Sequence, residues 1–426
     1  MNIKQNGKRK PNILLITVDS LRADFTGVYN KEIHKKGITR NIDQFSDRGF
    51  VFQRAIAHGP HTALSFLAMF SGYYPSKFGD WFSTVSEKRP LLAEVLKNHG
   101  YGTYAFHSNP YISRHFRFDR GFDVFIDNLS RGQNGLEKIK FLLSEPYESI
   151  ELIHSQVQMQ MAKLKQPYFM WVHYMDVHGP YVSRTGFRLN NHLKANYLWK
   201  KALSKPERIT HKEKNYLIAC YQEKIAYLDS HINQLFEFVD VDNTLIIFTA
   251  DHGDMLGEKG MFGHSRMLYD QVLHVPLIIK IPGYDEKRFI ANTVGHIGIL
   301  PSIIDILDIE NEIPFPGNSF ASLLKTSCAT DFNGAVISEI SRKHLCIEKN
   351  SWKLILDLKK NKKELFNLND DPYEAEDVHA QHGKKVQELE NLLKAHIRDN
   401  QSNDMPFNQN RSNKIIEERL KSLGYI

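Results

Sequence analysis

Cysteine is scarce in this sequence, which contains only Cys220, Cys328 and Cys346. Their spacing fits neither a zinc-binding nor a redox motif, and an odd number argues against a disulfide framework. Because proteins of oxidising compartments commonly carry disulfides, a reducing compartment is the simpler interpretation. We therefore expect a cytoplasmic protein.

Long apolar runs are also missing, since no stretch approaches the roughly 18 apolar residues that a membrane-spanning helix needs. The basic N-terminal stretch precedes the apolar run 13–18, which is too short for the apolar region of a signal peptide and is interrupted by Asp19. Lysines are spread along the chain and the net charge is a mild +6. We expect no membrane span and no nucleic-acid partner, whereas an anionic substrate remains compatible with this charge.

Five short apolar runs rich in β-branched and aromatic residues predict strands buried on both faces, as in a parallel sheet. They are residues 13–18, 102–106, 168–174, 243–250 and 275–280. Helical stretches are predicted at 91–98, 213–238 and 296–307. Strands that alternate with helices favour an α/β fold with a large, doubly wound, mostly parallel sheet flanked by helices.

The composition changes after residue 326. Four short β-like pieces follow, at 335–340, 345–349, 352–358 and 364–367, and then a helix at 384–398. This pattern predicts a main α/β domain over 1–326, with a helical insertion at about 128–215 over the active face. A small antiparallel sheet with a helix would then occupy 327–400. The remaining tail, 401–426, is expected to be loose at first and to contain a terminal helix at 415–423.

Acidic and imidazole side chains follow two of the predicted strands directly. Asp19 follows the first strand, and Asp251 and His252 follow the strand at 243–250. Each site alone is equally well explained as a capped turn. Since the carboxyl ends of parallel strands meet at one edge of a sheet, the two sites together favour a divalent cation held by carboxylate and imidazole.

Thr62 is predicted to lie at the N-terminus of a buried helix that covers 64–70 and ends at Gly72. From this segment alone, an ordinary threonine N-cap is the simpler interpretation. A threonine hydroxyl becomes a useful nucleophile only with a metal or a base beside it. A cation held by Asp19 and its partners would supply that help, so Thr62 is also a candidate metal ligand.

Two histidines are candidates for binding the substrate or protonating a leaving oxygen. His178 precedes Gly-Pro after the strand at 168–174, and His264 lies in a loop after the Asp251 strand. Lys259, which precedes His264, is a further candidate for binding the substrate. For any single histidine among 20, a structural role is the more common outcome. His61, His173 and His296 are secondary candidates.

Seven segments, in the same order along the chain, resemble motifs of the sulfatase-like family in the alkaline phosphatase superfamily. They are 11–24, 41–49, 71–75 (SGYYP), 177–181 (VHGPY), 249–258 (TADHGDMLGE), 363–374 (KELFNLNDDPYE) and 423–425. The resemblance implies that Asp19, Asp251 and His252 bind the metal, that Thr62 is the nucleophile, and that His178 binds the anion. It places His264 loosely near a further substrate-binding position.

Two departures from the family pattern matter. Ser20 stands where the family often has a second aspartate, and Thr62-Ala-Leu-Ser-Phe66 replaces the Cys/Ser-x-Pro-x-Arg motif whose first residue becomes formylglycine. Threonine cannot be converted, because oxidation of its methyl-bearing β-carbon would give a ketone. Ser65 is out of register with the motif. Phosphoryl-transferring relatives do use threonine, which favours phosphoester or phosphonate chemistry.

The expected function is therefore metal-dependent hydrolysis of an anionic ester, on a small, glycan-linked or lipid-linked substrate. The cation would be Ca²⁺, Mg²⁺, Mn²⁺ or Zn²⁺. Three alternatives stay open: a sulfuric ester hydrolase that works without formylglycine, a phosphoryl-group transferase, and a metal-binding relative without catalysis.

Overall fold

The computed structural model describes residues 10–78, 85, 88–129, 147–182, 189–325 and 334–400. The predicted tail, with its helix at 415–423, lies outside these residues, as do parts of the segment 128–215. None of the described helices is both long enough and apolar enough to cross a membrane.

Fifteen strands are present in the described chain. In chain order they are β1 Asn12–Val18, β2 Phe50–Ile56, β3 Gly102–Phe106, β4 Val124–Ile126, β5 Tyr168–Tyr174, β6 Thr244–Ala250, β7 Met255–Leu256, β8 Phe262–Gly263, β9 His274–Val275, β10 Leu277–Lys280, β11 Arg288–Gly295, β12 Val336–Ser341, β13 His344–Lys349, β14 Trp352–Asp357 and β15 Lys362–Asn367. All five strands predicted for the large sheet are among them.

Eleven α-helices accompany these strands in the described residues, with short 3₁₀ turns between them. In chain order they are α1 Lys31–Lys36, α2 Arg40–Ser46, α3 Thr62–Ser71, α4 Leu92–Asn98, α5 Ile150–Met161, α6 Leu189–Ser204, α7 His211–Phe238, α8 Asp270–Leu273, α9 Ile299–Ile306, α10 Ala321–Lys325 and α11 Gly383–Asp399. The helix predicted at 296–307 begins as a 3₁₀ turn and becomes α-helical at Ile299.

The large sheet is mixed but mostly parallel, with the order β11-β2-β10-β6-β1-β5-β3-β4, and β9 pairs with β2. Strands β6, β1, β5, β3 and β4 are parallel to one another. The predicted strand at 275–280 is split into β9 and β10, and β10 runs antiparallel to β6 and β2. The predicted fold class is confirmed, with this one strand reversed.

Strand β1 lies at the centre of the sheet, between β6 and β5, and all seven of its residues are buried. Val18 pairs with Tyr174 on one side and with Ala250 on the other. Because these three strands end side by side, the residues that follow them meet at one edge of the sheet. That edge is the candidate functional site.

The segment 128–215 is not a helical insertion throughout, because it contains the central strand β5 between the helices α5 and α6. Both helices pack against the long helix α7. The strand pairs with β1 and β3, so the chain must return to the sheet in the middle of this segment. Helices α5 and α6 lie on either side of β5, and the extent of a helical insertion over the active face stays a prediction.

The C-terminal region forms the antiparallel sheet β12-β13-β14-β15, with α11 packed on β13 and β14. It has its own apolar cluster, which includes Leu345, Leu354, Leu365, Leu389 and Leu393. The small sheet and its helix were expected from the sequence. The exact limits given for the domains remain predictions.

Candidate active site

Asp19, Asp251 and His252 lie together where β1 and β6 end. The backbone N–H of Asp251 donates to the Val18 carbonyl (3.3 Å), which keeps the two strand ends in register. Asp19, Asp251 and His252 are fully buried, and one ligand atom of each lies within 4.8 Å of the other two. In the described part of the chain, no other group of three or more acidic, histidine or cysteine residues is this compact.

The donor atoms of this cluster suit a divalent cation. The Nδ1 atom of His252 lies 3.0 Å from the Gly253 carbonyl, which assigns the proton to Nδ1 and leaves the Nε2 lone pair directed at the carboxylates. His252 Nε2 is 3.5 Å from Asp251 Oδ2 and 4.0 Å from Asp19 Oδ1. Asp251 Oδ2 is buried and accepts no hydrogen bond from any described residue. Carboxylate oxygens and an imidazole nitrogen are ligands for Mn²⁺, Zn²⁺ and similar ions.

The two carboxyl groups have opposite pKa shifts. Burial opposes ionisation of Asp19, but His178 and then His173 and His252 hold its pKa well below the ordinary value. Burial, followed by the charge of Asp19, raises the pKa of Asp251. A bound cation would reverse the shift at Asp251, because it stabilises both carboxylates as anions.

Thr62 is the first residue of α3, but it does not cap that helix. His61 is the N-cap, since its Nδ1 accepts from the backbone N–H of Ala63 (3.2 Å). The Thr62 hydroxyl lies 3.3 Å from Asp19 Oδ2 and 3.4 Å from His252 Nε2. The N-cap interpretation of Thr62 therefore fails, and its hydroxyl faces the cluster. Ser65, which is out of register with the family motif, donates to the Gly59 carbonyl instead (2.9 Å).

Ser20 occupies the position of the missing second aspartate and orients both carboxylates. Its hydroxyl donates to Asp19 Oδ1 (2.8 Å), and its backbone N–H donates to Asp251 Oδ1 (3.2 Å). The backbone φ of 60° lies in the left-handed region, which is unusual for a serine and is held here by these two bonds. The departure at position 20 thus replaces a charge with a hydrogen-bond donor.

The structure places His264 and His178 beside the cluster, as predicted. The ring of His264 is 4.2 Å from that of His252 and 5.7 Å from that of His178. His264 Nδ1 pairs with Asp254 Oδ1 (2.7 Å). Burial opposes a charge on His264, but Asp254 raises its pKa above the ordinary value. Burial lowers the pKa of His178, whose Nδ1 lies 2.5 Å from the Gly179 carbonyl.

Lys259 is not brought to the cluster. Its amine donates to the Glu374 carbonyl and lies over the rings of Tyr269 (4.8 Å) and Phe366 (5.1 Å), against the C-terminal sheet. This geometry gives Lys259 a structural role and does not support substrate binding. The secondary candidate His296 contacts Thr249 at 3.3 Å.

Asn109, which the sequence reasoning missed, also contacts the cluster. Its side-chain amide donates to Asp19 Oδ2 (2.8 Å) and lies 3.4 Å from the Thr62 hydroxyl. The residue follows β3, whose end shares the edge of the sheet with β1 and β5. The argument that identified Asp19 and Asp251 could therefore have found it.

Comparison with known proteins identifies the family. A model described as "Sulfatase" matches residues 11–309, and one described as "N-sulphoglucosamine sulphohydrolase, C-terminal" matches 257–403. The chain is 23% identical over 418 residues to the uncharacterized sulfatase YidJ of Escherichia coli strain K12, covering 86% of this chain and 82% of YidJ.

Two solved structures show the same fold. Phosphonate monoester hydrolase of Agrobacterium radiobacter has a TM-score of 0.72 at 16% identity, covering 92% of this chain and 96% of the other. BT4656, in complex with its substrate D-glucosamine-2-N,6-O-disulfate, has a TM-score of 0.67 at 19% identity, covering 95% and 100%. Since the sulfatase model matches well over half of the sequence, the chain belongs to the sulfatase family and is a hydrolase of sulfuric or phosphoric esters.

Proposed function

We propose that this protein hydrolyses a phosphoester or phosphonate ester, with Thr62 as the nucleophile and a divalent cation beside it. One observation carries the proposal: the Thr62 hydroxyl lies within 3.4 Å of both Asp19 and His252, at the start of a buried helix. The first turn of a helix presents backbone N–H groups and a positive dipole, which favour an anionic ester.

Asp19, Asp251 and His252 would hold the cation, with the Thr62 hydroxyl as a further ligand. When bound, the cation lowers the pKa of that hydroxyl and offsets the charge of the ester. Two carboxylates and one imidazole favour Mn²⁺ or Zn²⁺ over Ca²⁺, which usually takes six to eight oxygen ligands.

The other side chains of the site have separate roles in the proposed reaction. The Thr62 hydroxyl loses its proton to Asp19 Oδ2, 3.3 Å away, as Oγ forms a bond to phosphorus and the bond to the leaving oxygen breaks. His264, whose Nδ1 pairs with Asp254, would supply a proton to that oxygen, and His178 would bind the anion. Asn109 keeps Asp19 and the Thr62 hydroxyl in place. Water then releases the acid from Thr62.

The preference for phosphorus rests on the nucleophile. Thr62 cannot become formylglycine, and a phosphonate monoester hydrolase has the same fold. The main alternative is a sulfuric ester hydrolase with unmodified threonine, which the family match and the disulfated sugar of BT4656 favour.

A substrate panel tests the proposal. The full chain would be assayed with 4-nitrophenyl phosphate, bis(4-nitrophenyl) phosphate, a phenylphosphonate ester and 4-nitrophenyl sulfate, with and without Mn²⁺. We expect the phosphorus esters to be hydrolysed, and Thr62→Val to lower kcat by about 10³-fold or more while Mn²⁺ binding persists and Thr62→Ser remains active.

Each alternative has its own outcome in this panel. Hydrolysis of the sulfate alone would replace phosphoester chemistry with sulfatase chemistry, and full activity of Thr62→Val would remove the nucleophile from the mechanism. Metal binding without turnover of any ester would favour a non-catalytic relative. Products formed on an added alcohol in place of water would identify a transferase.

A cytoplasmic location stays a proposal based on cysteine content; Cys220 and Cys346 are buried and unpaired.

A further inference from the structure

A chain of buried polar groups leads to Asp19 from the interior of the sheet. Thr17 on β1 lies opposite His173 on β5. The Thr17 hydroxyl is 2.9 Å from the indole nitrogen of Trp171 and 3.0 Å from His173 Nδ1. The other ring nitrogen, His173 Nε2, lies 3.6 Å from Asp19 Oδ2. All four side chains are fully buried, so water cannot substitute for these contacts.

The direction of the hydrogen bonds follows from the chemistry of the groups. An indole N–H can only donate, so Trp171 donates to the Thr17 oxygen. The hydroxyl hydrogen of Thr17 is then directed to His173 Nδ1 at 3.0 Å, because the competing carbonyl of Val172 is more distant at 3.4 Å. His173 therefore carries its proton on Nε2, facing Asp19.

A doubly protonated His173 would present the same Nε2 proton to Asp19. Only the opposite neutral tautomer would direct a lone pair at the carboxylate, which is repulsive. The ring has little freedom to turn away, because Phe66 of α3 packs perpendicular to it with centroids 5.1 Å apart. His173 is also outside the compact cluster formed by Asp19, Asp251 and His252, which argues against a role as a ligand.

We propose that His173 is a positioning residue that holds the Asp19 carboxylate for the cation, and that Trp171 and Thr17 fix the tautomer that it needs. The inference rests on the proposed metal-dependent function. Asp19 is the only carboxylate that the end of β1 supplies to the site, because Ser20 stands where the family often has a second aspartate. Ser20 donates a hydrogen bond to Oδ1 and Asn109 donates one to Oδ2, while His173 Nε2 faces Oδ2 at 3.6 Å, an ion-pair distance beyond hydrogen-bond length. Such outer contacts typically change metal affinity by about 10–100-fold.

Substitutions at Thr17 test this directly. The full chain, freed of metal with a chelator, would be titrated with Mn²⁺ by calorimetry. We expect Thr17→Val and His173→Leu to weaken Mn²⁺ binding by about 10–100-fold, and Thr17→Ser, which keeps the hydroxyl, to stay within about threefold of the wild type. Thr249→Val is the matched control, since Thr249 pairs with Thr17 in the sheet but points its hydroxyl at His296.

Ester hydrolysis at saturating Mn²⁺ provides a second measurement. Because excess Mn²⁺ fills even a weakened site, the hydrolysis rate of Thr17→Val should recover to within a few fold of the wild-type rate. A general packing defect would not be repaired in this way. Wild-type Mn²⁺ affinity in Thr17→Val and His173→Leu would overturn the positioning role of His173 and its partners and leave the proposed function intact. Equal losses of Mn²⁺ affinity in Thr17→Ser and Thr17→Val would have the same consequence. A wild type that binds no Mn²⁺ and hydrolyses no ester would overturn both.

Discussion

Lys353 is a buried cation on β14 of the C-terminal sheet that pairs with Asp270 at the start of α8, and Lys353→Met is the most informative change for stability. Its Nζ lies 2.7 Å from Asp270 Oδ1 and 2.7 Å from Glu374 Oε1. The Asp270 carboxylate also pairs with Arg54 at 2.7 Å. The backbone N–H of Asp270 donates to the Glu374 carboxylate. Lys353 and its two partners, Asp270 and Glu374, are buried, and Arg54 is only 21% exposed, so the charges are poorly screened by solvent.

Removal of this cation would leave Glu374 buried without its only charged partner among the described residues. Breaking one side of a buried pair destabilises a protein by about 3–5 kcal/mol. Arg54 continues to neutralise Asp270, so we expect the lower part of that range. Methionine fills nearly the same volume as the lysine stem, which keeps a cavity from adding to the loss.

The loss of folding stability in Lys353→Met should depend on pH because Glu374 can take up a proton. Burial raises the pKa of Glu374 above its ordinary 4.5, and Lys353 opposes this shift. Loss of Lys353 raises that pKa further. A carboxyl with a raised folded-state pKa binds more protons when folded, so stability increases as the pH falls from the folded pKa toward 4.5. Wild type and variant both gain this stability below about pH 7, the folded-state pKa of Glu374 in the wild type. The stability deficit of Lys353→Met should therefore shrink as the pH falls from the higher pKa of the variant to about 7, by up to about 1.4 kcal/mol per pH unit, and stay constant below that.

Urea unfolding at pH 8, 7 and 6, followed by tryptophan fluorescence, measures both effects. Lys362→Met is the control, because its pair with Glu364 (3.1 Å) is formed by a lysine that is 59% exposed. That change should cost less than about 1 kcal/mol. A loss below about 1 kcal/mol for Lys353→Met at pH 8 would contradict the structural role of the network. A loss that is constant with pH would show that Glu374 takes up no proton.

Three further outcomes are expected. Asp251→Asn removes a charged ligand, so Mn²⁺ affinity measured by calorimetry should fall by more than the roughly 10–100-fold typical of outer contacts. Burial lowers the pKa of His154 from 6.5 to about 4, so the wild type should lose stability as the pH falls from 6.5 toward 4; His154→Gln should abolish that part of the slope in urea unfolding. In Gly253→Ala, a Cβ would lie 2.3 Å from the Gln271 carbonyl and displace the loop beside His252, which should cost about 1–3 kcal/mol of stability in the same assay and weaken Mn²⁺ binding.

The centre of the large sheet was predictable because its strands are continuous apolar runs. β1, β5 and β6 are buried at every position and therefore carry a clear signal. β2 and β11 were missed because they alternate irregularly between buried and exposed residues, which resembles a loop in sequence. Arg54 on β2 is an example: it is a polar interruption whose partner, Glu348, lies on another sheet.

The candidate site was predictable only where a residue follows a recognisable strand. Asp19 and Asp251 satisfy that condition, and pairing of their strands forces them together. Lys259 lies between β7 and β8, and His264 directly follows β8, and nothing in the local sequence distinguishes their roles. The carbonyl that binds Lys259 belongs to Glu374, 115 residues further along the chain, so only the tertiary structure could assign it.

The two departures from the family motifs are connected in the structure. Phe66, at the position of the motif arginine, is fully buried against Trp171 and His173, with ring centroids 5.0 and 5.1 Å away. An arginine there would be a buried cation that needs a carboxylate nearby, and Ser20 has removed one carboxylate from the same site. Loss of one negative and one positive charge leaves the overall charge of the site unchanged. The two departures therefore remove opposite charges together, which is compatible with the proposed threonine mechanism.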